Sequence, residues 1–355
     1  MRSCSFIGGC AMRDFRQIVR IGALTAVLLI SIGAAVSTGA YRIDPATLWH
    51  LAVHGLWAPD SLSDTAQAAS VLWHIRLPRV MLAVALGAGL GLCGCALQAL
   101  LRNPLSDPGL IGVSSGAALG AASMLVVGER FMAGSSALVP LASFAGALGT
   151  AALVYRLAAV DGRLATPTLL LCGIAVNALA VAAIGILTYL ANDAQLRSLT
   201  FWTLGSLGGA QWRMLGIAMP FVALGAALLV RRTRALNVMQ LGEAEAAHLG
   251  VATHALKREI VIGVSLCVGA LVSCSGLIGF VGLVTPHCAR LLCGPDLRRA
   301  MPASMLAGAS LAVLADLAAR TVAAPADVPL GILTALIGAP FFLFLVWRHR
   351  HRLGA

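Results

Sequence analysis

Charge is scarce in this chain. Only 11% of its 355 residues are Asp, Glu, Lys or Arg, where a soluble domain carries about 25%. Acidic residues are the scarcest, 14 against 25 Lys and Arg. Aromatic residues make up 5% and do not alternate with the basic stretches, so the net charge of +11 does not describe a nucleic-acid surface. The nine Cys include no C-x-x-C pair, which argues against a thiolate metal site or a redox pair. Cys93, Cys95, Cys172, Cys267 and Cys274 sit in apolar runs and read as small buried hydrophobes. No G-x-x-x-x-G-K phosphate loop and no H-E-x-x-H occurs, and the sequence suggests no pair of carboxylates set in a polar pocket. The chain carries no means of hydrolysing ATP, needs no cofactor or metal, and must draw energy from another chain or an ion gradient.

Apolar sequence is what it has in abundance, with 59% hydrophobic residues. Runs cover residues 21–40, 79–101, 109–128, 137–157, 168–190, 213–231, 259–276, 281–293, 300–323 and 328–347. A spanning helix needs about 20 apolar residues, and only helices or closed barrels satisfy their backbone inside lipid. The pattern predicts an all-α polytopic membrane protein with ten transmembrane helices, one of them short. Residues 1–17 form a cytoplasmic tail, with Met12 as an alternative start, 18–347 the membrane domain and 348–355 a basic cytoplasmic tail. A signal peptide would have a shorter apolar region than 21–40. Residues 41–75, with Trp49, Trp57 and Trp73, read as an outer loop with short helices, its tryptophans suited to the membrane interface. Residues 191–212 are polar and glycine-rich, with Trp202 and Trp212. Residues 232–257 are too polar to span and read as two short helices outside the membrane.

Lys and Arg set the orientation. With both termini inside, eighteen of the 25 fall on inner segments and seven on outer ones, as the positive-inside rule requires.

The run Leu97-Gln98-Ala99-Leu100-Leu101-Arg102-Asn103-Pro104-Leu105-Ser106-Asp107-Pro108-Gly109 breaks the apolar pattern. Prolines and polar groups at membrane depth must be buried in protein or line a cavity. The stretch reads as an inner turn that also lines a path. Gly87 and Gly91, and Gly112, Gly116 and Gly120, recur every four residues, a spacing that lets helix backbones approach closely. Asp316 stands alone in an apolar run and either pairs inside the bundle or relays protons. His287 and Arg290 beside Pro286 form either a hydrogen-bonded kink or a contact to substrate or gate.

Six segments, taken in order, carry a resemblance. They are Arg76-Leu77-Pro78-Arg79; Gln98 to Gly109; Gly242-Glu243 to Gly250; Gly279 to His287; Ala315-Asp316-Leu317-Ala318-Ala319-Arg320; and Leu330-Gly331-Ile332 with Gly338-Ala339-Pro340-Phe341-Phe342. Over about residues 18–347 the chain resembles the FecCD family, permease subunits of ABC importers for iron-siderophores, haem and cobalamin.

The resemblance implies the type II ABC importer permease fold in the inner membrane. It implies a homodimer with the path at its interface, two ATPase subunits inside and a periplasmic binding protein outside. The ATPase would dock on coupling helices at about 236–251, with Gly242, Glu243, Glu245, His248 and Gly250. Asn103, Leu105 and Thr166 match the inner gate, and Arg102 replaces a residue that is acidic in the cobalamin importer. Arg76, Arg79 and Arg320 match positions that face acidic groups of the binding protein. Asn177, His287 and Arg290 are the polar candidates for a chelate cavity lined by the fifth, eighth and tenth spans. An iron chelate, ferric siderophore or haem, is the expected cargo, with cobalamin the alternative. A reading from another class, an ion-coupled secondary transporter, would need Asp316 as its ion-binding carboxylate.

Overall fold

The computed structural model describes residues 4–39, 43–54, 64–128, 138–160, 163–324 and 326–353. Arg2, Arg42, Trp57 and Arg130 lie outside them. The first helix, α1 (Cys4–Ser37), has 34 residues, well beyond the length a bilayer needs. The expected polar tail is thus largely helical and continuous with the first span. Helices α2 (Pro45–His54) and α3 (Asp64–Val71) occupy the segment read as an outer loop with short helices.

A π turn at Leu72–Arg76 leads into α4 (Leu77–Leu100), which opens with Pro78 where no helical N–H is needed. A 3-10 turn, Pro108–Ile111, precedes α5 (Val113–Ser123), which continues as a π turn to Gly128. Next come α6 (Val139–Ala158), two antiparallel two-residue strands, β1 (Ala159–Val160) and β2 (Arg163–Leu164), and α7 (Thr166–Leu190). Residues 191–212 contain a further helix, α8 (Asp193–Leu204), started by a reciprocal capping box between Asn192 and Gln195. Helix α9 (Trp212–Arg231) precedes two short helices, α10 (Thr233–Met239) and α11 (Glu243–His248), which fill the polar excursion. The chain ends with α12 (Thr253–Ser275), α13 (Val281–Cys293), α14 (Leu297–Ala319) and α15 (Leu330–Leu353).

Among the described residues six helices are long and apolar enough to cross a membrane, and three shorter apolar ones accompany them. With α12 they occupy the ten expected apolar runs. Helix α4 is central and packs on α14, α13, α12 and α9. Small residues set the closest approaches: Gly87 meets Gly308, Gly94 meets Gly282, Gly116 meets Gly146 and Gly225 meets Gly263.

Candidate functional site

Polar side chains collect at the two ends of α4, which is 24 residues long and spans about 36 Å at 1.5 Å per residue.

At the inner end the helix breaks at Arg102, held at a φ of 51°. The Asn103 side chain accepts from the Leu105 N–H at 2.9 Å, an Asx turn that satisfies backbone no helix serves. Asp107 accepts from Gly109 N–H at 2.8 Å. Burial pushes the Asp107 carboxyl above its usual range, against that bond. Gly112, at a φ of 83°, opens α5. Asn177 on α7 donates to the Gly109 carbonyl at 3.1 Å and accepts from the Ser115 hydroxyl at 2.5 Å. The structure therefore brings Asn103 and Leu105 into one turn and ties that turn to α7, the helix that Thr166 opens. Gly112 to Gly116 has the G-x-S-x-G spacing of a nucleophile elbow, but it follows a 3-10 turn rather than a strand.

Gln98 joins α4 to α13. Pro286 has no N–H, so it leaves the Gly282 carbonyl without its helical donor. Gln98 Nε2 lies 3.5 Å from that carbonyl and 3.4 Å from Leu283 O. Arg290 donates to Gln98 Oε1. Beside them opens a cavity of about 210 Å³, lined by Gln98, Ala99, Arg102, Pro104, Gln240 and Arg290. His287 stands edge-on to Phe341, ring centres 5.9 Å apart. Sequence reading placed Arg290 and His287 in one group, and the structure divides them between Gln98 and α15.

The α10–α11 segment is tied to the bundle at several points, Thr233 to Met301 of α14 at 3.3 Å among them. Arg232 pairs with Glu259 of α12. Asn237 donates to Asp296 at 2.6 Å and accepts from the Leu297 N–H at 2.9 Å, fixing α10 to the start of α14. Burial pushes the Asp296 carboxyl up. Bonds from the Arg298 N–H and Asn237, with the charges of Arg298 and Arg299, outweigh it and hold the group below its usual range. Lys257 of α12, 1% exposed, donates to Glu243 at 2.5 Å. Gly242 takes a φ of 145° where a Cβ would collide with the Glu245 carboxylate. Glu245, His248 and Gly250 lie exposed on the surface of this segment. Asn237, Asp296 and Lys257 had drawn no notice as site residues, because their partners are far away in sequence.

At the outer end, Arg79 Nε lies 2.9 Å from Asp316 Oδ1 and Nη1 lies 2.8 Å from Asp327. Arg320 is 3.7 Å from Asp316 on the same helix. Arg76 donates to the carbonyls of Val36 and Ser37, and Arg320 to Ala35, so two arginines close the C-terminal end of α1, where a helix favours positive charge. The three arginine side chains are thus turned inward. Trp212 donates to the Trp73 carbonyl at 2.8 Å, with ring centres 5.0 Å apart. Among the described residues no three His, Cys, Asp or Glu converge as a metal site would require.

A bundle of apolar helices around α4, polar at both ends and with a bolted helical excursion on one of them, is the architecture of a membrane permease. The chain belongs to the FecCD transport family, whose model matches residues 26–348. It is 40% identical over 333 residues to the hemin transport system permease HmuU of Yersinia pestis, covering 93% of this chain and 95% of that one. It is 39% identical over 331 residues to the cobalamin import permease BtuC of Halobacterium salinarum, covering 92% and 88%. A solved structure described as an inward-facing metal-chelate type ABC transporter superposes with a TM-score of 0.80 at 32% identity, covering 92% of this chain and 98% of that one. The protein is a multi-pass ABC importer permease of the inner membrane and not itself an enzyme; the ATPase is a separate subunit.

Proposed function

We propose that this permease carries an anionic iron chelate, haem or a ferric siderophore, inward across the membrane. It would act as a homodimer with two ATPase subunits at α10–α11 and a periplasmic binding protein at the outer end. The observation that carries the chelate reading is the pair of arginines at the inner cavity, whose volume of about 210 Å³ admits a carboxylate arm and not a whole chelate. Arg290 and Arg102 both line it, and Arg290 is partnered there by the neutral Gln98. A guanidinium without a carboxylate suits the carboxylates of haem or a ferric siderophore. Cobalamin lacks such carboxylates, so the cavity favours the first relative's cargo over the second's.

Asn103, Leu105 and Thr166 are proposed as the inner gate. The turn at Asn103 is held to α7 through Asn177, which supports motion of the two together. Gly242, Glu243, Glu245, His248 and Gly250 are proposed as the ATPase seat. The docking role of Arg76, Arg79 and Arg320 is supported by their place at the outer end. Their inward bonds argue that they shape the docking surface rather than reach across it. The ion-coupled reading loses support, because Asp316 is occupied by Arg79 and Arg320.

The test is uptake into proteoliposomes holding the permease with its ATPase. Uptake of haem or a ferric siderophore should require ATP and the binding protein, and Arg290→Gln should weaken it more than it weakens cobalamin uptake. Uptake that needs neither component, or cobalamin as the sole cargo, overturns the proposal.

A further inference from the structure

Lys257 is the one fully buried charge at the inner end among the described residues. A buried ammonium in a membrane bundle is costly, and it is held only where its partners are specific. Its two partners lie on different elements. Nζ donates to the backbone carbonyl of Leu164 at 2.6 Å and to Glu243 Oε1 at 2.5 Å. Leu164 closes the β1–β2 hairpin two residues before Thr166, the first residue of α7. Glu243 is the first residue of α11, with its side chain 44% exposed. One side chain thus bridges the base of the α11 surface and the start of α7. The Arg232–Glu259, Thr233–Met301 and Asn237–Asp296 bonds of this layer join the α10 segment to α12 and α14.

Two other carboxylates of the layer are engaged elsewhere. Glu259 is taken by Arg232 and Asp296 by Asn237. The Glu245 carboxylate and the Arg102 guanidinium both lie against the Cβ position of Gly242. The Glu243 side chain is 44% exposed while its Oε1 accepts from Lys257, so a body pressing on α11 moves a residue bonded directly to Lys257. The ammonium passes the displacement to a backbone carbonyl of the hairpin, which has no side-chain freedom to absorb it.

We propose that Lys257 is a positioning residue that couples α11 to the α6–α7 hairpin, so that movement of the ATPase seat is delivered to Thr166 at the gate. The proposal rests on the reading of α11 as that seat. Its loss would leave both ends formed and unlinked.

The assembled transporter, permease with its ATPase and binding protein in proteoliposomes, tests this with three variants. Lys257→Met keeps the apolar stem and removes the bridge, Lys257→Arg keeps a cation, and Glu243→Gln keeps an acceptor without charge. For Lys257→Met, haem transported per ATP hydrolysed should fall roughly tenfold or more, the size of a typical coupling between sites, while ATPase copurification and ATP turnover persist. Lys257→Arg should recover most of the ratio. Adding Glu243→Gln to Lys257→Met should bring no further loss, because both act on one link. If Lys257→Met does not accumulate, the ratio for Glu243→Gln alone decides, since the amide oxygen still offers the Lys257 ammonium an acceptor. A wild-type ratio in whichever variant is measured, with ATPase bound, overturns the proposal. Loss of ATPase binding on changing Glu245 and His248 to Ala tests the seat itself. If the ATPase stays bound at full strength in that variant, the seat reading fails, and the coupling proposal fails with it.

Discussion

Arg79 and Asp316, 237 residues apart in sequence, form a buried ion pair at the outer end of the bundle, their side chains 11% and 2% exposed. The same guanidinium reaches Asp327 before α15, so one side chain fixes α4, α14 and the approach to the last helix. A buried pair broken on one side leaves a charge without a partner, at a cost of about 3–5 kcal/mol. Asp316→Asn should therefore lower the thermal midpoint of the purified permease sharply. The double variant Arg79→Met with Asp316→Leu should recover only part of the loss, because apolar replacement removes the pair itself but leaves the buried Arg320 without Asp316 and Asp327 without Arg79. Fluorescence-detected unfolding in detergent measures both. A proton relay through Asp316 would show the reverse pattern: Asp316→Asn stable and inactive.

The crossing of α4 and α14 makes a second prediction. A Cβ on Gly87 would sit 2.0 Å from the Gly308 carbonyl oxygen, and one on Gly308 2.1 Å from that of Gly87. These are backbone contacts, so no rotamer can give way. Gly87→Val should cost more than the 1–3 kcal/mol or so of ordinary overpacking, and the variant should not yield monodisperse protein. Gly185 on α7 has nothing within 4 Å of its Cβ position. Gly185→Ala should accumulate normally, with a gain in helix stability of up to about 1 kcal/mol. Size-exclusion profiles of the two variants separate steric demand from mere glycine content.

The Asp296–Asn237 bolt predicts a pH dependence. The folded carboxyl lies below its usual range, so the fold stabilises the charged form. That stability is present above the unfolded aspartate pKa and is lost as pH falls through the lower, folded value. Asp296→Ala should be less stable than the parent at neutral pH. The gap should close only below the ordinary aspartate range. Thermal midpoints of both proteins along a descending pH series check the sign; a gap that widens in acid contradicts it.

Much of this was legible in the sequence, because the bilayer restricts what an apolar run can be. The runs at 213–231 and 281–293 coincide within a residue with α9 and α13. The polar excursion at 232–257 folds as the two short helices its composition suggests. The glycine spacing in α4 and α5 does mark close helix contacts. Local chemistry sufficed for these. Other features depend on partners brought near only by folding. Lys257 reads as one more inner cation until Leu164, 93 residues away, lies against it. The arginines at 76 and 79 read as outward charges because the end of α1 and Asp316 lie far from them in the linear chain, whereas Arg320 stands one helical turn from Asp316 and that pairing was legible. Helix α8 is a different case. The Asn192–Gln195 capping box was there to be read, and the glycines of residues 205–209 concealed it.

The turn after α4 carries the last prediction. Arg102 sits at a φ of 51°, a region costing a non-glycine residue roughly 1–2 kcal/mol, and Asn103 supports the turn through its bond to Leu105 N–H. Arg102→Gly should leave stability unchanged or raise it slightly, since relief of strain offsets the greater freedom of the unfolded glycine. Arg102→Val should lower it. Asn103→Ala removes the side-chain acceptor and leaves the exposed Leu105 N–H to water, costing about 1 kcal/mol or less. If the turn is the inner gate, that variant should also let preloaded haem escape from proteoliposomes without ATP, and Asn103→Asp, which keeps the acceptor, should hold it. The two readouts divide the roles. A lower thermal midpoint with no leak makes the turn a structural joint alone. A leak in Asn103→Ala that Asn103→Asp abolishes ties closure of the path to one hydrogen bond.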